Sequence, residues 1–150
     1  MPGYFFDSSA LVKLYHAETG TPLVDQIVNA EDNSIRISRL TAPELTSAFA
    51  IKVRTQVINR EDAGLFLRQF RQDIANGKLE SFSLAESEFA KTESLVERYA
   101  FDLRLRTLDA LQLAVALELR NQKLIDHFFA ADKVLCEVAS LEGFSVINPE

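Results

Sequence analysis

The 150-residue sequence predicts an α/β fold with a mostly parallel central sheet of about five strands. Three observations lead there. Short, mainly apolar runs recur along the chain, as strands buried on both faces require. Segments with helical spacing separate them, the pattern of β-α-β units. Acidic residues stand where several of these strands end or the next helices begin.

The elements follow in order. GYFF (3–6) is a short apolar run closed by Asp7, and SSALVKLYH continues with helical spacing. GTPLVDQIVNA opens a helix, with Thr21 expected as cap and Pro22 at the first helical position. SIRIS (34–38) reads as the second strand, and a helix begins at Thr41 in TAPELTSAFAIKVRT. NREDAGLFLRQFRQDIANG is an amphipathic helix closed by Gly77. LESFSL (79–84) alternates as a third strand, and AESEFAKTESLVERYAF is helical. RTLDALQLAVALEL is apolar on most sides and should be buried. HFFAA (127–131) is a fourth strand, DKVLCEVASLEG a helix ending at Gly143, and FSVIN a fifth strand.

No repeat, linker or low-complexity tract interrupts the pattern, so residues 1–150 read as one domain. The hydrophobic fraction of 47% and charged fraction of 25% are ordinary for a globular chain. Cys136, the one cysteine, can form no intrachain disulfide and reads as a small buried hydrophobe. The opening MPGYFFDSS shows no basic segment followed by an apolar run, so no signal peptide is expected. No stretch reaches the roughly 20 apolar residues of a membrane span. A cytoplasmic protein is the expectation. The net charge of −6 argues against general, salt-driven nucleic-acid binding but leaves room for phosphate held through metal ions.

The acids carry the chemistry. Asp7 follows the first strand and Asp132 the fourth; Glu44 lies in the first turn of the helix after the second strand. In a parallel sheet all three fall on the carboxyl edge, where α/β folds bind ligands. Asp109, in the first turn of its own helix, joins them if that helix enters from the same side. Each acid also has a plain structural role open to it. Asp7 and Asp132 can be N-caps, Glu44 can complete a capping box with Thr41, and Asp109 can complement a helix dipole, with Thr107 as the cap. Capping explains four acids on one edge poorly, because clustered carboxylates repel unless a cation sits among them. Oxygen-only ligands suit Mg2+ or Mn2+. Asp126, before the fourth strand, falls at the opposite edge. His16 and His127 form no metal set. Neither a P-loop nor a G-x-G-x-x-G motif is present, which leaves nucleotide cofactors without a cradle. Ser9 stands where a haloacid-dehalogenase phosphatase would carry a second aspartate, and FSVINPE lacks the lysine expected of a response regulator.

At these residues the chain resembles the PIN-domain ribonucleases, particularly the VapC-type toxins of bacterial toxin–antitoxin pairs. The likeness spans nearly the whole chain. It rests on YFFDSSALVKLYHAE, APELTSAF, RTLDALQLAVAL and FFAADKVLCEVASLEGFSVINP, in this order and spacing. It implies a three-layer α/β/α domain and a metal-dependent endoribonuclease, with Mg2+ or Mn2+ as cofactor. Asp7, Glu44, Asp109 and Asp132 would be its catalytic and metal-binding acids, Asp7 and Asp109 at the centre. The resemblance also implies RNA as substrate, 5′-phosphate and 3′-hydroxyl products, a homodimer, and inhibition by a cognate antitoxin. Family members often carry Thr or Ser two residues before the fourth acid; Ala130 occupies that position here.

Further residues are candidates around this core. Ser9 can hydrogen-bond a metal ligand or a bound water, or cap the first helix. Arg36, Arg39 and Lys13 are candidate phosphate contacts, or solvated surface charges. The helices over 41–55 and 60–77 offer Phe49, Val57, Leu65, Phe66, Leu67 and Phe70, and any surplus over the core would form a groove for an amphipathic antitoxin helix. Two other readings fit the same residues. One is a non-catalytic partner-binding protein whose acids are only caps. The other is a metal-dependent DNA nuclease or phosphatase on a similar sheet.

Overall fold

The computed structural model describes residues 2–150. Five strands are β1 (Gly3–Phe6), β2 (Ser34–Ser38), β3 (Glu80–Phe82), β4 (His127–Phe129) and β5 (Ser145–Ile147). The helices are α1 (Ser8–Tyr15), α2 (Thr21–Asn29), α3 (Thr41–Arg54), α4 (Arg60–Ala75), α5 (Glu86–Tyr99), α6 (Thr107–Asn121) and α7 (Lys133–Leu141). The sheet order is β3-β2-β1-β4-β5, and every pairing is parallel. The chain therefore winds outward in both directions from β1, and the ends of β1 and β4 come to lie side by side.

Side chains alternate across this sheet and divide the core in two. Phe5 and Phe128 stack at 5.6 Å on the face covered by α5, α6 and α7. Tyr4, Phe6, Ile35, Ile37 and Phe129 point to the face covered by α1, α2, α3 and α4, where Phe6 and Phe129 stack at 4.4 Å. The result is three layers, α/β/α. Helix α6 is buried from Asp109 through Leu117, as its apolar sequence predicts, while Leu108 at its start is 48% exposed. No helix among the described residues is long and apolar enough to cross a membrane.

Boundaries differ from the sequence reading where caps were assigned. Gly20, not Thr21, is the N-cap of α2, in a left-handed conformation (φ 91°) packed against Pro149. The Thr21 hydroxyl instead donates to the Lys13 carbonyl oxygen and accepts from the Glu18 amide. Arg106, not Thr107, precedes α6, with no side-chain cap. Strands β3, β4 and β5 are each three residues long, shorter than the runs expected for them, with single backbone hydrogen bonds such as Ala130 amide to Ile147 carbonyl continuing past their ends.

The amino edge is locked by a short latch. The Gly3 amide donates to Asp126 Oδ2 at 2.8 Å, and the Asp126 amide donates back to the Gly3 carbonyl at 2.7 Å. Asp126 is thus at the opposite edge from Asp132, as expected. The latch brings β1 so close that a Cβ on Gly3 would lie 2.2 Å from the Leu124 carbonyl oxygen. That atom is backbone and cannot rotate away. Gly3→Ala should therefore destabilise the fold by at least about 2 kcal/mol in urea denaturation, as overpacking against rigid groups does. A midpoint equal to wild type would show that the latch is loose.

Candidate active site

The parallel sheet carries three acids to one edge, and α6 supplies the fourth. Asp7 follows β1, Asp132 follows β4, Glu44 lies in the first turn of α3 and Asp109 in the first turn of α6. All four line one cavity of about 130 Å³, together with Ser9 and Arg106. The convergence expected from strand order is therefore present.

The capping roles are present too for two of the acids. Asp7 Oδ2 accepts the Ser9 amide at 3.1 Å and caps α1. Asp132 Oδ1 accepts the Leu135 amide at 2.9 Å and caps α7. Glu44 is different. The capping box with Thr41 does not form, and Leu40, in helical conformation, precedes α3. The Glu44 carboxylate turns instead across the site. Its Oε1 accepts from Gln112 Nε2 at 2.6 Å and from the Ser8 hydroxyl at 3.2 Å.

Asp7 is the most confined member. It is 1% exposed, and its Oδ1 is buried without a hydrogen-bond partner. Ser9 holds the other oxygen: its hydroxyl donates to Asp7 Oδ2 at 2.6 Å and accepts from the Ala131 amide at 3.0 Å. Of the roles open to Ser9, orienting a cluster carboxylate is the one its geometry fits. Burial, helped by the neighbouring charges of Asp109 and Glu44 and opposed by the Ser9 hydrogen bonds, pushes Asp7 up to about 7. Burial also raises Glu44 and Asp109. Gln112 and Ser8 oppose the rise at Glu44, and Arg106 opposes it at Asp109. Burial and the charges of Asp132 and Asp7 raise the Cys136 thiol to about 11, so it is no thiolate.

Three residues escaped the sequence reading. Arg106 places Nε 3.3 Å from Asp109 Oδ2 and a terminal guanidinium nitrogen 3.3 Å from Asp132 Oδ2. Gln112 is fully buried and joins Glu44 to Thr41. Ser8 ties α1 to Glu44. A signal existed for two of them: Arg106 and Gln112 lie three residues before and after Asp109, the spacing at which side chains around a helix start can meet.

Two candidate phosphate contacts are placed otherwise. Lys13 is buried and paired with Glu18 at 3.0 Å and Glu150 at 3.1 Å. Arg36 donates to the Leu124 carbonyl oxygen at 2.6 Å, toward the amino edge, and lies 3.6 Å from Glu80. Both are engaged in holding the fold. Arg39 is exposed after β2, at the carboxyl edge. Ala130 is fully buried, and its carbonyl accepts from the Cys136 thiol at 3.2 Å.

The donor set fits a hard divalent cation: four carboxylates, no histidine, and a buried carboxylate oxygen without a partner. As they stand, no three acidic, histidine or cysteine side chains among the described residues are arranged to hold an ion. The Arg106 guanidinium stands between Asp109 and Asp132.

A three-layer sheet with four acids at its carboxyl edge is a PIN arrangement, and the PIN domain family model matches residues 4–141. The chain belongs to the PIN domain family. Its fold is similar to that of the Mycobacterium tuberculosis VapC20 toxin, described as cleaving the sarcin-ricin loop: TM-score 0.68, 15% identity, 97% of this chain and 99% of that one covered. It is also similar to FitAcB from Neisseria gonorrhoeae (TM-score 0.65, 14% identity, 97% of each chain) and to a toxin–antitoxin complex from Klebsiella pneumoniae (TM-score 0.63, 15% identity, 98% of each). At these identities the likeness is one of fold. Vimentin from Cyprinus carpio matches at 32% identity over 95 residues, 63% of this chain. The chain spans 20% of that protein's length, and the match carries no functional reading.

The raised Asp7 has a consequence for stability. Between its unfolded value of 3.8 and its folded value of about 7, the folded state keeps a proton that the unfolded state releases. Stability from this group is therefore greatest below pH 4, falls as pH rises toward 7, and is level above. Asp7→Asn removes the loss. The metal-free variant should melt at least about 4 °C above wild type at pH 8 and close to it at pH 4. A variant that melts lower at pH 8 would show that the ionised carboxylate is held favourably.

Proposed function

We propose that this protein is a metal-dependent endoribonuclease, the toxin of a toxin–antitoxin pair. The observation that carries this reading is the buried, unpartnered oxygen of Asp7 in a cavity shared with Glu44, Asp109 and Asp132. Capping alone would leave no reason to bury a carboxylate beside three others, an arrangement that costs stability. Membership of the PIN family and the fold shared with toxins support the same conclusion.

Asp7 and Asp109 would hold Mg2+ or Mn2+, with Glu44 and Asp132 completing the set. A bound ion supplies an activated water and neutralises charge on the scissile phosphate. The chain's own residues prepare that chemistry. Ser9 fixes the rotamer of Asp7 from the Ala131 amide. Gln112 and Ser8 aim Glu44. Arg106, Arg39 and Lys133, which follows Asp132, are cations at this edge available to an RNA phosphate. The substrate is RNA and the compartment cytoplasmic on this reading, and two copies would form a homodimer.

The inhibitory partner would be an antitoxin helix. Between α3 and α4 lies a groove of about 440 Å³, with Phe49, Val53 and Leu67 on its floor and Arg54 and Arg60 beside it. Of the apolar residues these helices offer, Phe49 and Phe70 belong to the core, Phe66 and Leu67 pack partly buried against it, and Leu65 and Val57 are more than half exposed but lie outside this groove. The groove's apolar floor and flanking arginines suit an amphipathic helix with acidic flanks.

Cleavage of single-stranded RNA and DNA, with Mn2+ and with chelator, tests the reading. RNA should be cut only with metal. Asp7→Asn and Asp109→Asn should each lose more than about 100-fold in rate, since partners outside the ligand set alone are worth 10–100-fold. Asp126→Asn, at the other edge, should stay within about twofold of wild type. Cleavage of DNA alone would reassign the substrate. Wild-type rates in Asp109→Asn would remove the site.

A further inference from the structure

We infer that Arg106 is a counter-ion carried by the chain itself, which closes the carboxylate cluster when no divalent cation is bound and must release it before one can enter. The inference rests on the nuclease reading above and concerns the regulation of that site. One guanidinium spans two acids from different elements: Asp109 on α6, through Nε, and Asp132 ahead of α7, through a terminal nitrogen, each at 3.3 Å. Both contacts go to the Oδ2 atoms of residues that would ligate the ion. As arranged, the cluster holds no three ligands for a cation. The guanidinium and a divalent ion therefore compete for the same oxygens.

Two features make Arg106 a displaceable plug. Its side chain is 72% exposed, and pairs at that exposure are weak. It also lines a second cavity of about 490 Å³, bounded by Leu40, Pro43, Ile51 and Leu108 and, on the side of the acidic one, by Ser8 and Glu44. Rotation of the arginine stem would carry the guanidinium away from Asp109 and Asp132 and toward this cavity, on the Glu44 side. There it would remain at the lip of the site as a planar donor for a substrate phosphate. Asp7 remains buried and unpartnered throughout, because the plug does not reach its Oδ1.

Calorimetric titration of Mn2+ into the full chain, beside the RNA cleavage assay, decides the matter. Arg106→Ala should bind Mn2+ about three- to tenfold more tightly than wild type, the range expected for removing two exposed pairs. RNA cleavage should nevertheless fall, because the phosphate contact is lost. Arg106→Lys keeps the charge but loses the fork, and should bind Mn2+ at least about twofold more tightly than wild type. Equal or weaker affinity in Arg106→Ala overturns the inference, even where wild type cleaves RNA. Equal affinity in Arg106→Lys and wild type overturns the bridging role and leaves only a diffuse charge effect. Neither Mn2+ binding nor cleavage by any form would overturn the nuclease reading, and the plug with it.

Discussion

Asp7 joins the sheet to the site, and the rest of the arrangement depends on how its carboxyl is held. Its amide donates to the Phe129 carbonyl, which binds the end of β1 to the end of β4. One carboxylate oxygen takes two donors from Ser9. The other is buried with none. A group so placed cannot be an ordinary helix cap, because a cap needs one oxygen and leaves the other to water. The fold confines Asp7 in a way that favours its protonated form, and a cation among the acids is what would reverse that preference.

The neighbours divide the charge problem between them. Gln112 and Ser8 answer Glu44 with neutral donors, whereas Arg106 answers Asp109 and Asp132 with a cation. Neutral donors orient a carboxylate without cancelling its charge, so Glu44 stays available to an ion. A guanidinium cancels charge as well as orienting. It suits the metal-free cluster and opposes the metal-bound one. Arg106's charge also reaches Glu44, but its direct contacts are to Asp109 and Asp132, so under the proposed competition those two acids are the ones that would change partner.

Placement of the acids was legible because it follows from strand polarity. Once β1, β2 and β4 are parallel, Asp7, Glu44 and Asp132 have no other edge to occupy. Asp126 and Asp132 are six positions apart, and the strand between them sends them to opposite ends. What the residues make contact with was less legible. Thr41 and Glu44 satisfy the capping-box spacing, yet Gln112, distant in sequence, captures the Glu44 carboxylate. Arg36 looked free because its partner, the Leu124 carbonyl, is brought near only by the closed fold; Lys13 pairs both with distant Glu150 and with Glu18, five residues on, just past the end of α1. Cap positions moved by a residue at α2 and α6, where Gly20 and Arg106 turn the chain before the threonines do. Local spacing therefore located the elements, and tertiary closure decided which side chains were already taken.

That last distinction bears on how an acidic chain would hold RNA. With Lys13 and Arg36 engaged in the fold, the cations left at the carboxyl edge include Arg39, Arg106 and Lys133, the residue after Asp132. Few phosphates could then be neutralised by side chains, and the salt dependence of binding would be shallow compared with that of a basic nucleic-acid binder. Most of the grip on the scissile phosphate would fall to the ion in the cluster. On the proposed function, such a surface would stay weak without the metal. Arg106 fits that logic from both sides: engaged with Asp109 and Asp132 it satisfies an unloaded site, and displaced it supplies one of the scarce positive charges where the substrate would need it.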